Sequence, residues 1–159
     1  MCEYCGCQEV AAIGELTREH DEVVGLMAEV RAAHAAGDVD RMAVLARRIT
    51  EILTPHTAVE EEGLFPLMDA DFPEQVALLR TEHREVEAVL GRAGSGTPAD
   101  PGWPDAVMAV LNDLRTHILK EQDGVFPAAL TTLDGAGWDS VDAVRARVGS
   151  GLLLPGAAG

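Results

Sequence analysis

The chain has 159 residues, room for one domain with a sizeable core and too little for two. Its formal net charge is −15, from 27 acidic and 12 basic residues, which leaves no basic footprint for nucleic acid and no polybasic attraction to an anionic membrane. No stretch approaches the roughly 18 consecutive apolar residues of a membrane span, Met1 to Cys7 carries no apolar signal core, and three cysteines crowded at one end cannot staple a domain, so a cytoplasmic protein with reduced thiols is expected.

Apolar residues three and four apart mark four amphipathic helices. The first carries Ile13, Leu16, His20, Val23, Met27 and Val30, and ends before Gly37-Asp38. The second carries Met42, Leu45, Ile49, Ile52, His56, Val59 and Gly63, and is closed by Asp71 to Pro73. Val76, Leu79, His83, Val86 and Leu90 form the third stripe, followed by a loop of Gly, Pro and Ser from Gly94 to Pro104. The fourth reads Val107, Val110, Leu114, His117, Glu121 and Val125. After Gly135 to Gly137, Asp139 or Ser140 is placed to cap a short helix through Arg147, and the tail Gly149 to Gly159 is expected to be loosely held. Period-two alternation is nearly absent and aromatic content is 4%, so a sheet has little to be built from. The expected fold is all-α: an antiparallel up-down four-helix bundle with a short extra C-terminal helix, divided as residues 1–10, 11–133 and 134–159.

The chain repeats itself. Leu16-Thr17-Arg18-Glu19-His20-Asp21-Glu22-Val23 resembles Leu79-Arg80-Thr81-Glu82-His83-Arg84-Glu85-Val86, and His56, Glu60, Gly63, Phe65, Pro66 has the same internal spacing as His117, Glu121, Gly124, Phe126, Pro127. Two helical hairpins are therefore copies of one pattern. Each contributes a His from its first helix and a His-x-x-x-Glu pair from its second, and residues four apart stack on one helix face, so each pair can grip one centre. Four imidazoles on apolar stripes, two of them with in-phase carboxylates, are costly to bury without compensation, and a cation supplies it. Two carboxylates that each bridge two ions leave open positions for water or a small ligand.

The pattern His, His-x-x-x-Glu, His, His-x-x-x-Glu resembles the hemerythrin-like family of non-haem diiron proteins over about residues 13 to 130. The resemblance implies two Fe ions, oxo- or hydroxo-bridged, in a four-helix bundle that meets oxygen, peroxide or nitric oxide. Carried over, His20, His56, His83 and His117 are terminal ligands and Glu60 and Glu121 bridge. The ferritin-like alternative builds its site from Glu-x-x-His pairs, and no His here has Glu three residues before it. Oxygen carriers of the family have a further His one turn beyond the third-helix His, where this chain has Glu87, either a seventh, oxygen ligand or a solvated side chain. That departure weakens the case for reversible oxygen carriage relative to a catalase-like or nitric oxide-reducing enzyme, with a non-catalytic oxygen, nitric oxide or iron sensor as the alternative. The expected partner is a small diatomic gas or peroxide, with no nucleic acid and no membrane; a protein partner is left open.

Four features lie outside that pattern. His34 is fourteen residues from His20, about 21 Å along a helix, so it cannot share the centre and is expected at the bundle end. Pro55 is expected to kink or bulge the second helix beside His56. Phe65 and Phe126 read as core residues that can also wall the site. Cys2, Cys5 and Cys7 supply three thiolates where a structural zinc site usually has four ligands, so they read as a second thiolate site, a redox-active thiol group or simply an exposed end.

Overall fold

The computed structural model describes residues 10–152, and every regular element among them is helical. Helix α1 spans Ala11–Ala35. The chain reverses at Gly37, whose φ of 68° favours a residue without a side chain, and Asp38 caps α2 by accepting the backbone N–H of Arg41 at 3.0 Å. Helix α2 spans Val39–Ala58 and runs on through a widened π-helical turn, Val59–Leu64, into a last turn, Phe65–Met68. Helix α3 covers Pro73–Leu90; helix α4 covers Trp103–Lys120 and likewise runs on through a π-helical turn, Glu121–Val125, into Phe126–Thr132. Helix α5 covers Gly135–Val148.

Helices α1 and α2 pack on each other, as do α3 and α4; α1 also meets α4, and α2 meets α3. The apolar interior falls into two clusters. One gathers Val23, Met27, Ile49, Ile52, Val86, Trp103 and Leu114, and the other gathers Leu16, Val59, Phe65, Met68, Leu79, Phe126 and Val141. Each of α1 to α4, with its continuation, passes from one cluster to the other, and near each crossing stands a histidine: His20 between Leu16 and Val23, His56 between Ile52 and Val59, His83 between Leu79 and Val86, His117 between Leu114 and Phe126. A polar layer thus divides the core.

The structure corrects several details. Pro55 sits inside α2 without ending it, and it does not cause the widened turn, because the matching turn after α4 follows Thr116 at the position equivalent to Pro55. The common cause is the Phe-Pro pair beyond each turn. Pro66 and Pro127 lack an N–H and their rings would crowd the carbonyl four residues back. Phe65 and Phe126 instead donate to the carbonyls of Glu60 and Glu121, five residues back, which opens the turn. Pro104 lies in the first turn of α4 rather than in the preceding loop, where a proline's missing N–H costs nothing. Helix α5 starts earlier than expected, capped by Asp134, whose carboxylate accepts the N–H of Gly137 at 2.8 Å, and not by Asp139 or Ser140. The stretch expected to be loose begins tied down: Gly151 accepts a hydrogen bond from Arg48 at 2.9 Å, and a side chain at Gly151 would collide with the backbone of Glu51.

Candidate metal centre

The four helices each deliver one imidazole to the dividing layer, and none of His20, His56, His83 and His117 is more than 6% exposed. Glu60 and Glu121 enter from the two π-helical turns, four residues after His56 and His117, and are fully buried. Donor atoms of His20, His56, Glu60 and Glu121 lie within 4.8 Å of one another, and so do those of His83, His117, Glu60 and Glu121. Both carboxylates belong to both groups. The six residues singled out by the repeat are therefore brought together in two overlapping sets.

Inside the layer the Nε2 atoms face the carboxylates: His20 to Glu121 at 3.2 Å, His117 to Glu121 at 3.1 Å, His83 to Glu60 at 3.8 Å, and His56 in contact with Glu60. The Nδ1 atoms point outward, each onto an oxygen: Gln122 at 3.0 Å from His20, Glu19 at 3.3 Å from His56, Glu61 at 3.3 Å from His83, and Glu82 at 3.1 Å from His117. An Nδ1–H that donates outward leaves the Nε2 lone pair for the centre. Around the outer ring, Arg145 of α5 holds Glu19 at 2.5 Å, Arg84 holds Glu61 at 2.7 Å, and Lys120 holds Glu82 at 2.6 Å.

Those contacts leave polar atoms in the interior without partners. His20 Nε2 and all four oxygens of Glu60 and Glu121 are buried without an aligned hydrogen bond, although His20 and Glu121 are close enough for an ion pair. The Nε2 atoms of His83 and His117 stand 3.1 Å apart, a contact that needs a proton or a cation to join the two nitrogens once both Nδ1 atoms donate to carboxylates. Two nitrogens at right angles about one ion, each about 2.1 Å from it, are about 3 Å apart. The donor set fits bound cations better than it fits an empty core.

Protonation in the cation-free chain tells the same story. Burial pushes the Glu60 carboxyl up, and the neighbouring Glu121 charge adds to it. Burial pushes His56 down, but Glu60, Glu19 and Glu121 together outweigh it and raise the imidazole to about 10; at His117 burial is likewise outweighed by Glu121, Glu60 and Glu82 together, which raise it to about 9. Burial and the His117 charge lower His83 to about 4. Protons are thus shared among groups that a cation would occupy.

The remaining expectations divide. Glu87 does not join the donor atoms: its side chain is 53% exposed, pairs with Arg84 at 3.5 Å, and stands at the rim of the small cavity beside the four histidines. His34 lies in the last turn of α1 and meets Asp105 of α4 at 2.9 Å, a carboxylate rather than free carbonyls. Phe65 and Phe126 are core residues and also walls, stacking on His83 and His20 with ring centres 5.8 Å and 5.6 Å apart. Cys2, Cys5 and Cys7 lie outside the described residues. The outer partners Glu19, Glu61, Glu82, Gln122 and Arg145 were not anticipated. A signal existed for four of them, since each adjoins a donor in both copies of the repeat (Glu19-His20 and Glu82-His83, Glu60-Glu61 and Glu121-Gln122); Arg145 has none.

Fold and site together define a helical cation-binding domain. The family model described as the Hemerythrin HHE cation binding domain matches residues 11–129, and the chain belongs to that family. No curated protein and no solved structure gives a match.

Proposed function

We propose that the protein is a non-haem diiron oxidoreductase that binds and turns over a small oxidant: hydrogen peroxide, oxygen or nitric oxide. The observation that carries this reading is the pair of overlapping donor sets that share two buried carboxylates lacking any aligned hydrogen bond. Imidazole and carboxylate without sulfur suit iron, and two imidazoles with two shared carboxylates leave positions on each ion for an outside ligand. The order in which α1 to α4 cross between the two core clusters supports an antiparallel up-down bundle around that pair.

Two irons held there would serve as Lewis acids and as an electron reservoir. The chain's own residues do the rest. Nδ1 contacts to Glu19, Glu61, Glu82 and Gln122 fix the rings, and Phe65 and Phe126 shield one side from water. The cavity against the four histidines, lined also by Thr57, Val86 and Glu87, measures about 20 Å³. Such a space suits something the size of a water or a diatomic molecule and excludes organic substrates. A much larger apolar groove of about 520 Å³, between Leu78 and Gly124, touches none of the six donors.

Oxygen release from hydrogen peroxide, two molecules giving one oxygen and two waters, tests the reading without an outside electron donor. Release proportional to bound iron, and abolished in Glu121→Ala, is the expected result. Full iron occupancy with neither peroxide breakdown nor nitric oxide consumption would contradict turnover and leave a sensor.

A further inference from the structure

We infer that the two metal positions are unequal, with the position of His83 and His117 the tighter and that of His20 and His56 the weaker, and that Gln122 sets the difference. The inference rests on the dinuclear reading above. The inner donors do not distinguish the positions: each has two imidazoles and the same two carboxylates. The distinction stands behind the rings.

His83 and His117 both donate Nδ1–H to carboxylates, Glu61 at 3.3 Å and Glu82 at 3.1 Å. A carboxylate draws on that proton and makes the opposite nitrogen a stronger donor to a cation, and such outer partners are worth about 10- to 100-fold in metal affinity. His20 has instead the amide oxygen of Gln122 at 3.0 Å, which carries no charge. Its companion His56 does meet a carboxylate, Glu19, which Arg145 holds much as Arg84 holds Glu61 and Lys120 holds Glu82, so the amide at His20 is what differs. One position is backed by two carboxylates, and the other by one amide and one carboxylate.

The internal repeat makes the asymmetry specific. Gln122 follows the bridging Glu121 as Glu61 follows Glu60, and each reaches the His of the opposite hairpin's first helix. A single change of amide to acid therefore makes the two halves alike. Gln122 acts through His20 and is a positioning residue.

The test is calorimetric titration of the metal-free full chain with Co²⁺, followed also by the visible cobalt bands. Wild type is expected to fill in two steps about 10- to 100-fold apart in affinity, with the first ion shifting the ring resonances of His83 and His117. Gln122→Glu should strengthen the weaker step and close most of the gap. Glu61→Gln should weaken the tighter step by a similar factor, and it carries the test if the first variant fails to fold. Two equal steps in wild type, or a gap unmoved by either variant, would overturn the inequality alone; absence of any Co²⁺ binding would overturn the metal reading itself.

Discussion

Glu60 destabilises the cation-free fold, because it is fully buried, has no aligned hydrogen bond, and burial with the neighbouring Glu121 charge pushes its carboxyl up. Replacing Glu60 by Gln should have opposite effects on the two forms: stabilisation of the metal-free chain by about 1–3 kcal/mol and loss of metal affinity, both read from thermal melts with and without added iron. Glu19 presents the reverse case. Burial pushes its carboxyl up, but His56 and Arg145 outweigh burial and hold it at about 2 instead of 4.5. That pairing stabilises the fold fully above the ordinary value and is lost as pH falls toward 2. Arg145→Ala leaves the buried Glu19 carboxylate with His56 and Ser150 alone, so it should cost about 1.5–3 kcal/mol and move the acid-unfolding midpoint, followed by circular dichroism, to higher pH. At this scale the six inner donors were legible because His and Glu four apart recur in two copies. Arg145 was not, because its partner Glu19 lies 126 residues away and only folding brings them together.

The two widened turns are one design used twice and then treated differently. Gly63 meets α5, where a Cβ would stand 3.2 Å from the backbone of Val141, while nothing approaches within 4 Å at Gly124. Gly63→Ala should therefore destabilise by about 1–2 kcal/mol, as overpacking does, and loosen α5, whereas Gly124→Ala should be neutral or stabilise by up to about 1 kcal/mol through helix propensity. Denaturant melts of the two variants make the comparison. Helix existence and phase were readable from the apolar stripes, down to the separation of α1 from α2 at Gly37-Asp38. The π-helical widening was not, because periodicity marks which face a residue occupies and not whether a turn closes on four residues or five. Pro55 drew attention for its position beside His56, but the decisive prolines stand further on, at Pro66 and Pro127.

Across the whole molecule, the two hairpins share a centre but not a surroundings. Helix α5 covers the first hairpin's turn and places Arg145 behind Glu19; the equivalent face of the second hairpin, at Gly124, is an open apolar groove, and Lys120 from α4 itself takes the place of Arg145 behind Glu82. No helix among the described residues is long and apolar enough to cross a membrane. The charge balance of the interior gives a pH dependence with a definite sign. His56 and His117, raised to about 10 and about 9 in the cation-free chain, hold protons at neutral pH that a metal must displace. Metal affinity should rise as pH rises toward those values, with protons released on binding, as calorimetry in buffers of different ionisation enthalpy would show. The repeat and its His-x-x-x-Glu spacing brought these six donors out of the sequence, while the order of contacts outside them came only with the packing of five helices.

Metal analysis of the chain after anaerobic loading with ferrous iron and removal of the excess is the most direct test. The account predicts about two irons per chain, falling together with the oxo-bridge absorption in His56→Ala and His117→Ala. A folded wild-type chain that retains no iron, or only one ion per chain, would contradict it.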